Sequence, residues 1–333
     1  MKKVVIIGAG SWGTALGLVL ASKNYDVTLW EHNKARAEEV QKSRENSRYL
    51  PGVKLPDNMR FTHESENLLD GIRYVIFSVP SQCLREVISK FSPQITEDMI
   101  LVNTAKGIEV ATGMRLSEVM KDEMKGKYHK NIVVLSGPTH AEEVAIGLPT
   151  TIVAAGVKEK AMEIQELFNC LNFRVYMNED MVGVEIGAAV KNCLAIGAGI
   201  ADGMGYGDNT KAALITRGIA EMTRFGKALG AQERTFSGLT GIGDLIVTCA
   251  SKHSRNRHVG ECLGKGQTID EVLAEMTMVA EGVPTVKAVH NAAQELGISM
   301  PIVEATYNII YENASAKDMV EALMGRELKV EFY

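Results

Sequence analysis

Two hydrophobic periods divide the chain. In the first half, short β-branched and apolar runs recur at KVVIIG (3–8), DVTLWE (26–31), MRFTH (59–63), RYVIFSV (73–79), MILVNTA (99–105), NIVVLSG (131–137) and TTIVAAG (150–156), with FRVYM (173–177) as a further short one. Helical spacing fills most of the gaps, for example at 12–23, 34–43, 82–90 and 112–125. Near-continuous apolar strands alternating with helices predict a parallel sheet covered on both faces. After about residue 180 the strand signal fades. Helices are predicted at 181–203, 209–229, 256–264, 268–275, 283–296, 302–311 and 316–324, punctuated by glycines and by Pro284 and Pro301. The expected class is α/β, a doubly wound N-terminal sheet (1–180) followed by an all-α C-terminal domain (181–333). A length of 333 residues suits two domains.

Composition adds mainly exclusions. The chain is 46% hydrophobic and 23% charged, with a net charge of −5 and no strongly basic block. That argues against a nucleic-acid partner while permitting a local basic pocket for an anionic small molecule. Five cysteines, odd in number and never spaced C-x-x-C, argue against a disulfide framework or a metal site and for a reducing, cytoplasmic setting. The opening MKKVVIIGAGSWGTALGLVLAS mimics a secretory signal, but the spacing of Gly8, Gly10 and Gly13 favours a strand and turn instead. Residues 182–202 are long enough to span a bilayer; Glu185, Lys191 and Asn192 would be costly there, so a buried helix without stable membrane insertion is expected.

Gly8, Gly10 and Gly13 form G-x-G-x-x-G between a predicted strand and a predicted helix. In that context the first glycine makes a tight turn, the second admits a pyrophosphate, and the third lets helix and strand pack closely. The N-terminal domain is therefore expected to be of the Rossmann, dinucleotide-binding type. At the end of the second strand, Glu31 suits a ribose 2′-hydroxyl and so NAD, whereas His32, Asn33, Lys34 and Arg36 suit the 2′-phosphate of NADP. An outward-facing Glu31 is a third reading, and the preference stays open.

The segment GAAVKNCLAIGAG (187–199) places Lys191 and Asn192 in an otherwise small and apolar helix. Its helical neighbours at i±3 and i±4 are Gly187, Ala188, Leu194 and Ala195, none acidic, and Glu185 lies on roughly the opposite face. The ammonium must be paired from elsewhere, line a wet pocket, shift its pKa, or snorkel to the surface. Mid-helix glycine costs up to about 1 kcal/mol relative to alanine, which close approach by another segment or a ligand would justify.

Other polar positions stand out against their surroundings. Lys106 in NTAKGIE follows a strand at the sheet edge where such folds bind ligands. Thr139 and Glu142 in SGPTHAEEV fit a helix capping box, which leaves room for a ligand contact. Asp244 in GIGDL reads either as a helix N-cap or as a functional acid. SRNRH (254–258) suits a phosphate at a helix N-terminus or an exposed basic turn.

Taken together, GAGSWGTALG, YLP, SVPS, TAKGIE, SGPTHAEEVA, GLPT, GAAVKNCLAIGAGIADG, ALITRG, GIGDLIVTC, SRNR and VAEGVPT occur in an order that resembles the bacterial-type NAD(P)-dependent glycerol-3-phosphate dehydrogenases almost end to end. The resemblance implies reversible hydride transfer between NAD or NADP and dihydroxyacetone phosphate, giving sn-glycerol 3-phosphate for phospholipid synthesis, and allows a homodimer. It implies Lys191 as the catalytic acid/base, and Lys106, Gly137, Thr139, Asp244, Ser254, Arg255 and Asn256 as further substrate contacts. It implies cofactor contacts at Ser11, Trp12, His32, Asn33, Lys106, Ala141, Arg255, Val279 and Glu281 beside the three glycines, and no metal. Burial and Lys106 would lower the Lys191 pKa, and Asp244 would oppose them. Two rival readings are a related β-hydroxyacid or ketopantoate-type dehydrogenase and a non-catalytic NAD(P)-binding sensor. SRNR after GIGDL favours a phosphorylated substrate over the first, and Lys191, Asn192 and Asp244 are superfluous in the second.

Overall fold

A computed structural model describes residues 2–328, 330 and 331; the last part of the expected 181–333 domain, residues 329, 332 and 333, lies outside it. Eight strands form one sheet: β1 (Lys3–Ile7), β2 (Asp26–Trp30), β3 (Met59–Thr62), β4 (Tyr74–Phe77), β5 (Ile100–Asn103), β6 (Ile132–Ser136), β7 (Thr150–Gly156) and β8 (Phe173–Asn178). Their order is β3-β2-β1-β4-β5-β6-β7-β8. All neighbours are parallel except β6 and β7, so the expected parallel sheet is corrected to a mixed one with a reversed β7–β8 edge.

Alternation along each strand feeds two hydrophobic layers. Val4 and Ile6 of β1 pack with Leu16 and Leu20 of the Ser11–Ser22 helix. Val5 and Ile7 face the other way, onto Leu84, Ile88 and Phe91 of the Leu84–Phe91 helix. β1 lies between β2 and β4, so the connections after β1 and β4 leave in opposite directions. A crevice opens there at the C-terminal strand ends, where open α/β sheets bind ligands.

The second half is helical, centred on the 23-residue Met181–Gly203 helix. Its first turn still belongs to the sheet, with Val184 packed among Val134, Val153 and Ala155. From Ile186 onward it forms the middle of a second core with Phe225, Val259, Val286 and Val303. Glu185, on the face away from Lys191 as expected, accepts hydrogen bonds from Arg115 and from the Ser117 backbone.

The small residues of this helix serve protein packing. A Cβ on Gly199 would sit 2.0 Å from the Arg257 carbonyl, and one on Gly260 would sit 2.0 Å from that of Ile196. The Met181–Gly203 and Arg255–Gly264 helices therefore touch backbone to backbone. A Cβ on Gly187 would likewise meet the Thr240 carbonyl at 2.4 Å. Of the two justifications for these glycines, close approach by another segment is the one observed.

The helices Lys158–Phe168 and Glu233–Phe236 lie outside the ranges named above, and the Asp244–Ala250 helix starts where the N-cap reading of Asp244 put a helix end. The last is short, follows a π-helical turn (Leu239–Gly243), and has an apolar sequence without a legible period.

Candidate active site

The turn after β1 is built by the three glycines. A Cβ on Gly8 would lie 2.3 Å from the Ser78 carbonyl, and one on Gly13 would lie 2.1 Å from the Gly8 carbonyl. These two seal strand against helix. Gly10 has nothing within 4 Å of its notional Cβ, so the N-terminus of the Ser11–Ser22 helix stays open. A side chain at position 10 would fill the cradle that a dinucleotide pyrophosphate needs. Nearby, the Trp12 indole nitrogen is buried without a partner among the described residues. An open cradle and an orphaned donor fit a bound dinucleotide.

At the end of β2, Glu31 is buried rather than outward-facing. Its Oε1 accepts from Arg36 at 2.7 Å and from the Asn33 backbone at 3.0 Å, and lies 3.0 Å from His32 Nδ1. Asn33 also caps the Lys34–Ser43 helix by accepting from the Arg36 backbone. Acid and guanidinium occupy the same corner, so neither form of the coenzyme is excluded.

Lys191 finds its partner in Asp244. Its Nζ donates to Asp244 Oδ1 at 2.8 Å and to Thr248 Oγ1 at 2.7 Å, and Lys106 Nζ donates to Asp244 Oδ2 at 2.8 Å. Lys106 also donates to the Gly137 carbonyl at 2.9 Å. Asp244 is 1% exposed and Lys191 6%. Asp244 is thus no N-cap: Gly243 precedes the helix, and the Asp244 carboxylate is spent on two lysines.

Burial lowers the Lys191 pKa to about 8; the adjacent Asp244 carboxylate opposes that shift and Lys106 reinforces it. Burial pushes Asp244 upward, yet the two ammonium groups outweigh it and hold the carboxyl below its ordinary value. Two cations share one anion, so the cluster carries a net positive charge toward an anionic ligand. An ammonium has three hydrogens. Two of those on Lys191 are used, and the third has no partner among the described residues.

These parts open onto one cleft of about 610 Å³. Gly8, Gly10, Ser11, Trp12 and His32 line one end, beside the glycine turn. Lys106, Thr139, Lys191, Ser254, Arg255 and Asn256 line the other, with Ala141, Val279 and Glu281 between. Gly13, Asn33, Gly137 and Asp244 stand outside the lining: Gly13 is packing, Asn33 is a cap, and Gly137 and Asp244 hold the lysines from behind. The expected Thr139–Glu142 capping box does not form. His140 precedes the Ala141–Ala145 helix, and the Thr139 hydroxyl donates to the Gly137 carbonyl at 3.2 Å.

Two family models cover the chain: the NAD-dependent glycerol-3-phosphate dehydrogenase N-terminus over residues 3–162, and its C-terminus over residues 180–321. The chain belongs to this dehydrogenase family. A glycerol-3-phosphate dehydrogenase [NAD(P)+] from Listeria monocytogenes is 51% identical over 331 residues, covering 99% of this chain and 98% of that protein. One from Syntrophomonas wolfei is 49% identical over 332 residues, covering 99% and 97%. The crystal structure of glycerol-3-phosphate dehydrogenase from Coxiella burnetii superposes with a TM-score of 0.93 at 37% identity, covering 98% of this chain and 99% of that one.

Within this dehydrogenase fold, Thr248, which sequence reasoning passed over, reaches the cleft. Thr248 sits one helical turn after Asp244, a spacing that could have flagged it. Asn192 accepts from Asn256 Nδ2 at 2.8 Å, while Asn256 Oδ1 accepts from the Gly282 backbone at 2.8 Å. Ser81 donates through its backbone and hydroxyl to the Glu281 carboxylate, joining loops 200 residues apart. No local pattern marks that contact.

Proposed function

We propose that this chain reduces dihydroxyacetone phosphate reversibly to sn-glycerol 3-phosphate with NADH or NADPH, supplying phospholipid synthesis. The carrying observation is the buried Lys191 ammonium, braced by Asp244 and Thr248, with one hydrogen unpartnered among the described residues. It lines the same cleft as the open Gly8–Gly10 turn. When bound, the coenzyme supplies the hydride that reaches the substrate C2 carbon. Lys191 stabilises the charge growing on the carbonyl oxygen and protonates it; in the oxidative direction it takes that proton back. A pKa near 8 lets one amine serve both directions near neutral pH.

Asp244 and Lys106 fix the Lys191 amine, and the net positive charge of the three favours an anionic substrate. Arg255, Asn256 and Ser254, at the start of the Arg255–Gly264 helix, are proposed to hold the phosphate, with Lys106, Gly137 and Thr139 along the substrate. Anchoring a remote group in this way places C2 for reaction. Gly8, Gly10, Ser11, Trp12, His32, Lys106, Ala141, Arg255, Val279 and Glu281 form the proposed coenzyme surface, with Gly13 and Asn33 shaping it from outside the lining.

The proposal extends to two domains, 1–180 and 181–333, supported by separate cores, one on the sheet and one around the Met181–Gly203 helix. A homodimer belongs to the same reading. So does a cytoplasmic enzyme without membrane insertion, supported by five unpaired cysteines and by burial of most of the Met181–Gly203 helix. The deciding assay is oxidation of NADH and of NADPH by purified protein on adding dihydroxyacetone phosphate. Coenzyme binding without turnover would reject this reading in favour of a sensor or of a dehydrogenase for another substrate.

A further inference from the structure

His140 lies between Thr139 and Ala141, and all three line the cleft. Its Nε2 is buried and has no hydrogen-bond partner among the described residues. Buried polar atoms in folded proteins are almost always paired, so an orphan at the wall of a ligand cleft marks a position that a ligand completes. The ring also sits 5.7 Å, centroid to centroid, from that of His253. His253 immediately precedes Ser254, whose side chain caps the Arg255–Gly264 helix. His140 thus neighbours His253, next to the helix start assigned above to the phosphate, and lies within the field of the Lys191 amine.

The charged and titratable groups around the ring are Lys191, Glu142, Glu143 and His253. Burial lowers the His140 pKa, Lys191 and His253 lower it further, and the two glutamates oppose them. The imidazole is therefore neutral at neutral pH, a hydrogen-bond donor that adds no charge. That suits a site where Lys106, Lys191 and Arg255 already supply the cations.

The geometry points to His140 as a substrate-binding residue whose Nε2–H donates to a phosphoryl oxygen of the bound triose phosphate. This rests on the substrate reading given above and adds a contact that no motif in the sequence singled out. The hydrogen bond is made only with substrate in place, which leaves the donor orphaned in the free protein.

The test compares wild type with His140→Leu and His140→Gln at saturating NADH, the glutamine amide nitrogen replacing Nε2. His140→Leu is expected to raise KM for dihydroxyacetone phosphate about tenfold or more, the scale of one hydrogen bond to a charged oxygen, and far more than it lowers kcat. The inhibition constant of inorganic phosphate rises in parallel, His140→Gln recovers most of both losses, and NADH binding keeps its Kd in each variant. An unchanged KM in His140→Leu overturns the proposal, as does a raised KM with an unchanged phosphate inhibition constant. Failure of His140→Gln to recover either value also overturns it. Arg255→Ala separates the two levels of the argument. A raised KM there without one in His140→Leu removes His140 alone, whereas no change in either variant removes the whole phosphate assignment.

Discussion

Lys191 and Asp244, 53 residues apart in the chain, meet at 2.8 Å inside the protein, and neither is more than 6% exposed. Burial without a counter-charge drives a lysine pKa down by up to about 3–5 units. Asp244 holds it near 8 instead. We expect kcat/KM for the reductive reaction to fall above about pH 8, because reduction needs the protonated amine. Asp244→Asn removes the group that raises the Lys191 pKa, so the alkaline limb should move to lower pH. A pH–rate profile of both proteins checks this, and an unmoved limb would dissociate Asp244 from the proton.

Lys191→Ala should lower kcat by about a hundredfold to ten-thousandfold, the usual worth of a positioned acid/base. Coenzyme affinity should stay within about twofold, since the Gly8–Gly10 turn is untouched. Titration of NADH fluorescence beside steady-state kinetics separates the two. Substantial residual turnover would move the acid elsewhere.

Arg255 donates to the Val279 carbonyl at 2.8 Å and opens the helix proposed to face the phosphate. Arg255→Ala should chiefly raise KM for the phosphorylated substrate, by about tenfold or more for a charge-assisted bond. An unchanged KM would remove Arg255 from the phosphate site.

Gly260→Ala probes the helix crossing behind the site. Its methyl would fall 2.0 Å from the Ile196 carbonyl, and backbone cannot swing away as a side chain can. The cost should be about 1–3 kcal/mol, the usual range for overpacking, read as a lower denaturant midpoint. A wild-type midpoint would mean that the helices can part freely.

Glu221 provides a pH signature in stability rather than activity. Burial raises its pKa to about 7, against the opposing backbone hydrogen bonds from Ile302 and Val303. The folded form holds this proton more tightly than the unfolded chain. Its contribution is therefore fully present below the ordinary glutamate range, is lost as pH rises through about 7, and changes no further above that. Glu221→Gln should flatten that part of the stability–pH curve, as measured by denaturant unfolding between pH 4 and 8. An unchanged slope would show that Glu221 titrates alike in both states.

What local pattern encodes was read directly. Strand alternation, the glycine turn and the helical second half all follow from spacing, because side-chain period and backbone permissiveness belong to each segment alone. Lys191 was recognisable as a misfit for the same reason, since its helix holds no acid within reach. The reversal of β7, the extent of the Asp244–Ala250 helix and the failed Thr139–Glu142 box were not legible. Each depends on what a segment packs against: the β6 edge for the first, the Met181–Gly203 helix for the second, and the Gly137 carbonyl beside Lys106 for the third.

The sequence by itself determined that a dinucleotide domain precedes a helical one, and that one lysine required a partner from elsewhere. Only the tertiary structure decided which partner it took, and that the glycines around it admit another helix. It alone revealed that His140 Nε2, at the cleft wall, has no partner among the described residues. Pairing, burial and close approach are relations between segments distant in sequence, and they acquire definite geometry only when the chain has folded.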